Sequence, residues 1–233
     1  MPTRIIGISS MATRQVLAEL ATAYRKWNGA GGDVEVAFES VGGVDAAKRV
    51  QTGELFDLAV LASDAIDTLT VGGHIDAESK IDLVRSHVAI AVRTGAPQPD
   101  ISSEEALRET ILAARTIGYS TGPSGTALTK LFTCWGIADS IQSRIVQAPP
   151  GVPVGQLVAS GEVELGFQQQ SELLHLPGIT LLGTMPPGCE IITTFSAGLC
   201  TASTRPEVVR NLLVFMHSPA AADAKRRQGM EPA

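Results

Sequence analysis

The amino-acid sequence predicts an α/β protein of two lobes, each a mostly parallel sheet flanked by helices, and three observations predict it. Short apolar runs alternate with segments whose apolar residues recur at helical spacing. Aromatic residues make up only 4% of the chain against 44% hydrophobic residues, so packing rests on Ala, Val, Leu and Ile, as in parallel strands under Ala-rich helices. No linker, low-complexity tract or fixed-period repeat divides the 233 residues, which favours lobes joined by crossing strands over tethered domains.

The elements follow in order. Arg4–Ile8 is an apolar strand, and Gln15–Trp27 places Val16, Leu17, Leu20 and Tyr24 at helical spacing. Gly29–Gly32 is a turn, Val34–Phe38 a second strand, Glu39–Gly43 its exit and Val44–Val50 a helix. Leu58–Leu61 is a third strand, leaving through Ala62-Ser63-Asp64 into a short helix. This βαβαβ order implies parallel pairing with right-handed crossovers. The middle repeats the theme: His87–Val92 strand, Ser103–Ala113 helix, Thr116–Ser120 strand, and a helix from Thr126 to about Trp135 after the loop Thr121–Gly125. Ile145–Gln147 is a strand, Val154–Ser160 a helix, and Glu164–Gln168 and Ile179–Leu182 are strands. Ile191–Thr201 is long and β-like, able to run from one lobe into the other, and helices over Pro206–Met216 and Pro219–Gln228 close the chain.

Composition excludes several functions. The net charge is -6 with no basic stripe, so nucleic acid is not an expected partner. A bound anion must then be captured locally, by N–H groups, hydroxyls and one or two arginines. Cys134, Cys189 and Cys200 match no zinc pattern, the four histidines are scattered, and neither GxGxxG nor GxxxxGK[ST] is present; no metal and no cofactor is expected. No run reaches the ~20 apolar residues of a membrane span. Met1-Pro2-Thr3-Arg4 leads straight into the first strand, so the chain reads as cytoplasmic as written, and as periplasmic if a leader has been removed.

In open α/β sheets, ligands sit beyond the carboxyl ends of the parallel strands. The turns there carry Ser9-Ser10, Ser40, Ser63, and Ser120 with Ser124-Gly125-Thr126; a fifth turn runs from Pro149 to Val154. A hydroxyl at a helix N-terminus, beside free N–H groups and a positive dipole end, holds an anion without a formal charge. Ordinary capping explains any one such serine; four hydroxyl-bearing turns together favour a site.

These residues carry a resemblance. Ser10-Met11 opening the first helix, Ser40 after the second strand, the run Phe56–Asp64, and Ser218-Pro219-Ala220-Ala221 near the end resemble the molybdate-binding proteins of ABC uptake systems. The resemblance implies the type II periplasmic-binding-protein fold, with lobe one over residues 1–83 and 196–233, lobe two over 84–195, and a small anion held in the cleft by a monomer. An ABC permease is the implied partner if the chain is exported. By the same likeness Ser10 and Ser40 hold the oxyanion, and the segments 122–126 and 152–154, including Val154, offer backbone N–H groups. The family's ligand-binding tyrosine falls at Gln168-Gln169, and Pro153 removes an N–H. Glutamine offers donors and an acceptor, which suits a di- or tricarboxylate better than a bare tetrahedral oxyanion. Arg85 falls at the first crossover, where a guanidinium facing the cleft binds a carboxylate bidentately; a solvated surface arginine is the alternative. The serine-and-glutamine pattern also resembles aconitate isomerases, which implies an isomerase shifting a double bond in a tricarboxylate, with Glu39 and His87 as candidate bases.

Overall fold

Strand β1 (Thr3–Ser10) turns Ile5, Ile8 and Ser9 fully away from solvent, and the first half of the chain is built around it. The computed structural model describes residues 3–27, 34–149 and 151–233; the turn expected over residues 29–32, and Pro150, lie outside the described residues. The chain divides into two units, Met1–Arg85 with Thr194–Ala233, and Ser86–Thr193.

In the first unit, β1 is followed by a short 3-10 turn (Met11–Thr13), α1 (Arg14–Tyr24), β2 (Val34–Val41), α2 (Gly43–Gln51), β3 (Leu58–Ala62) and α3 (Ser63–Val71). β1 pairs with β2 in parallel from Thr3↔Val34 to Ser10↔Val41, and with β3 in parallel from Gly7↔Leu58 to Ser9↔Val60. Every residue of β3 is buried, because helices cover both faces. Leu58 and Val60 pack with Leu17 and Leu20 of α1 and with Leu212 and Phe215. Ala59 and Leu61 pack with Ala46, Val50, Ile66 and Leu69 of α2 and α3. Across from β1, β3 pairs antiparallel with β9 (Ile192–Leu199), from Leu58↔Leu199 to Ala62↔Phe195. The helix α9 (Pro206–His217), a 3-10 turn, α10 (Ala222–Arg227) and β10 (Met230–Pro232) complete the unit.

The second unit takes the later part of β4 (Ile81–Arg93), then α4 (Glu104–Ala113), β5 (Ile117–Tyr119), α5 (Pro123–Cys134), α6 (Ala138–Ile141), β6 (Ile145–Gln147), α7 (Val154–Ser160), β7 (Leu165–Gln169), α8 (Gln170–Leu173) and β8 (Ile179–Thr184). β5 pairs in parallel with β6 and β7, and β4 pairs antiparallel with β7 and β8. One face packs Val88, Ile90, Phe167, Leu128 and Phe132; α7 lies on the other. A Cβ at Gly166 would come within 2.4 Å of Val158 Cγ2, so the bare glycine lets α7 sit close on β7.

The α/β class and the strand order agree with the sequence reading, and several boundaries move. β4 begins at Ile81 rather than His87, since Asp82 and Arg85 are exposed on it and break the apolar run. Glu39 and Ser40 are the end of β2 rather than a turn. Ser124, Gly125 and Thr126 form the first turn of α5, which starts with Pro123 at N1, a place where the missing N–H costs nothing. The final helix is shorter than expected, a 3-10 turn followed by α10. Among the described residues no helix is long and apolar enough to cross a membrane.

Candidate functional site

In the first unit the register Ser9↔Ser40 brings two hydroxyls level at the carboxyl ends of β1 and β2, with their oxygens 2.8 Å apart. Either hydroxyl can be the donor of that bond, and Ser9 Oγ is also placed to donate to Ser10 O at 3.3 Å; when Ser9 donates to Ser40 instead, the Ser40 O–H is left to donate to a ligand. Ser9 is fully buried and Ser40 half-buried. Ser10 follows in extended conformation; its Oγ accepts from Ala12 N at 3.4 Å, a long bond, and its carbonyl accepts from Thr13 Oγ1 at 3.0 Å. Ser10 therefore does cap the 3-10 turn, and the weakness of that bond leaves its hydroxyl able to serve a second partner.

The helices α2 and α3 begin beside these serines, with Gly42 and Ala62 as N-caps and no side-chain cap on either. A Cβ at Gly43 would lie 3.8 Å from Ser10 Oγ, which places the first turn of α2 against that hydroxyl. Ser63 opens α3 and is half-buried.

The other expected residues of this unit have partners elsewhere. Arg49 grips both carboxylate oxygens of Glu39, with Arg49 Nη2 at 3.0 Å from Oε2, and also pairs with Glu54. Arg49's hydrogen bond holds the Glu39 carboxyl below the usual carboxylate range, so Glu39 is a poor base. Arg85 is exposed on β4, its Nη2 3.5 Å from Pro232 O and its Nε 3.9 Å from Glu231 Oε2.

In the second unit Ser120 follows β5, its Oγ 3.5 Å from Ser124 Oγ in the first turn of α5. A Cβ at Gly125 would sit 1.8 Å from Ser120 O, so only glycine allows α5 to start there. Gly122 is its N-cap, with no side-chain bond. Thr126 is turned inward to its own helix, its N–H donating to Gly122 O at 3.1 Å and its hydroxyl to the same oxygen at 3.4 Å.

At the carboxyl end of β7, Gln168 and Gln169 are 2% and 3% exposed. Gln168 Oε1 accepts from Gly155 N at 3.4 Å, while its Nε2 donates to Glu172 Oε1 at 2.8 Å. Gln169 Nε2 donates to Thr193 Oγ1 at 2.8 Å, and its Oε1 has no partner among the described residues. Val154, at the start of α7, is fully buried in the packing of that helix, so it has only backbone to offer. His87 is half-buried on β4.

Sequence reasoning missed two residues here. Burial pushes the Glu172 carboxyl up to about 7, against the opposing pull of the Gln168 N–H. Ser86 on β4 is fully buried, and its Oγ has no partner among the described residues. An acid three residues beyond Gln168-Gln169 was the available signal for the first; nothing in the sequence marked the second. Among the described residues no group of three His, Cys, Asp or Glu side chains is placed to hold a metal ion.

Comparison with known proteins sets these residues in context. The model of the bacterial extracellular solute-binding protein family matches residues 6–231. An aconitate isomerase from a Pseudomonas species is 35% identical over 233 residues, covering 99% of this chain and 88% of that protein. Among solved structures, the periplasmic molybdate-binding protein of Azotobacter vinelandii superposes with a TM-score of 0.80 at 18% identity, over 98% of this chain and 99% of that one. The sulfate-binding protein of Mycobacterium tuberculosis gives 0.82 at 15% identity, over 99% and 87%. These two likenesses establish the periplasmic-binding-protein fold expected from the sequence.

Proposed function

Because this chain belongs to the bacterial extracellular solute-binding protein family, we propose that it binds a small anion, a di- or tricarboxylate in preference to a tetrahedral oxyanion. One observation carries the reading: the Ser9–Ser40 hydroxyl pair lies at the strand ends beside α2 and α3, neither of which has a side-chain cap. Such helix ends supply N–H groups and positive potential to an anion. Ser10 and Ser63 are the further contacts proposed there. In the second unit Ser120, Ser124 and Gly125 are proposed contacts at α5, another helix without a side-chain cap, and Gln168 and Gln169 those at the end of β7. The paired glutamines support a carboxylate through their donors, since each Nε2 makes one bond and keeps a second N–H to give. An exported chain would pass its ligand to an ABC permease, and we expect it to act as a monomer.

A thermal-shift screen with citrate, aconitate, malate, sulfate, molybdate and tungstate tests this reading. A ligand at 100 times its dissociation constant adds about 2.7 kcal/mol of stability. A carboxylate is expected to raise the melting temperature most; no response to any of the six would end the anion reading.

The second reading is an isomerase, favoured by the 35% identity to an aconitate isomerase along nearly the whole chain. Its chemistry needs a base that takes an allylic proton from the tricarboxylate and returns it to the former alkene carbon, with N–H groups stabilising the anion between. Glu172, whose carboxyl titrates near 7, suits that role better than Glu39. Incubation with trans-aconitate in heavy water, followed by NMR, would show the cis isomer carrying deuterium. An unchanged spectrum leaves the binder alone.

A further inference from the structure

Two polar atoms of the second unit are buried without a partner among the described residues, Ser86 Oγ and Gln169 Oε1, and both lie at the carboxyl end of β7. Val88 pairs with Gln169 across the antiparallel strands β4 and β7. Directly paired residues point to the same face, and so does the residue two positions along. Ser86 and Gln169 are therefore diagonal neighbours on one face. The amide is anchored from its other side by the bond from Nε2 to Thr193 Oγ1, so Oε1 is a fixed, buried acceptor without a donor among the described residues. Leaving such an atom empty is costly, and native structures rarely do so without a cause.

A ligand hydroxyl completes both atoms at once: its O–H donates to Gln169 Oε1, and its oxygen accepts from the Ser86 O–H. A carboxylate oxygen has no hydrogen to give and would set its negative charge against the lone pairs of Oε1. We infer that Ser86 and Gln169 form a hydroxyl-recognition subsite, so that the preferred ligand is a hydroxy di- or tricarboxylate rather than its deoxy counterpart. The inference rests on the carboxylate reading above and narrows it.

Two matched pairs of ligands test it: citrate against tricarballylate, and malate against succinate, each pair differing in one hydroxyl. Calorimetry on the full chain is expected to show the hydroxy member of a pair binding about tenfold tighter, the change that one net hydrogen bond gives. Ser86→Ala, checked for folding by its melting curve, should narrow that ratio several-fold while leaving tricarballylate affinity unchanged. Gln169→Leu should abolish the preference. Equal affinities within a pair, as when a trapped water fills the subsite, would overturn the inference and leave the carboxylate reading standing. An unaltered ratio in folded Ser86→Ala would overturn it too. Failure of all four compounds to bind would overturn both.

Discussion

Raising the pH through neutrality should destabilise this protein by way of Glu172. The carboxyl moves from an ordinary value of 4.5 to about 7 because burial penalises its charged form. Between those two values the folded chain keeps a proton that the unfolded chain has lost. Stability must then fall with pH, by about 1.4 kcal/mol per unit. The contribution is fully present below about pH 4.5 and lost as pH rises through about 7, a total of about 3 kcal/mol. Glu172→Gln mimics the protonated acid and can still accept from Gln168 Nε2. The variant should match the parent near pH 4.5 and exceed it by about 3 kcal/mol at pH 8. Urea denaturation of both proteins at pH 5, 6, 7 and 8 reads the difference directly. The lowered carboxyls of Glu39, Glu54 and Asp100 act below this window and cancel in the comparison. A parent and variant whose stabilities run parallel across the range would refute the reasoning.

Three further outcomes are expected. Gly125→Ala should be destabilised severely, since its Cβ would meet Ser120 O at 1.8 Å; a melting temperature within a degree of the parent's would contradict the placement of α5. Lys225 is 2% exposed and burial draws its ammonium down to about 8, so its charged form is a burden below that pH. Lys225→Met should raise stability at pH 7 by up to about 3 kcal/mol, an advantage that shrinks as pH climbs from 8 towards 10.5; no gain at pH 7 would count against it. Ser10→Ala should cost about 0.5–2 kcal/mol of stability through the lost cap and weaken the best anion as well. Calorimetry showing unchanged affinity would reduce Ser10 to a cap.

What the sequence disclosed depended on the range of the interaction involved. The helix Val154–Ser160 was legible to the residue, because its start and stop are set by Pro153 before it and Gly161, at φ 87°, after it. The serines at the strand ends were legible too, since hydroxyls closing apolar runs are a local pattern, but Ser9, Ser10 and Ser40 belong to β1 and β2 and not to the turns expected there. The start of α5 was not: Gly122-Pro123-Ser124-Gly125 has the composition of a loop, and its helical state depends on the fit of Gly125 over Ser120. Glu172 and Ser86 were opaque for a stronger reason. Their character comes from burial, which no window of sequence contains, even though Gln168, the partner of Glu172, stands only four residues before it. Glu39 illustrates the reverse, a residue whose position suggested chemistry until Arg49, ten residues away, was found holding it.

The hydroxyl pair at Ser9 and Ser40 joins residues 31 apart in the chain, and it exists only in one alignment of β1 with β2. A slip by one residue would turn one hydroxyl to the opposite face of the sheet. Anion recognition by these serines is thus unavailable to a collapsed chain with misaligned strands, however much helix it has formed. A binding signal recovered during refolding would therefore time the locking of the β1–β2 register, where circular dichroism reports only that strands and helices have appeared.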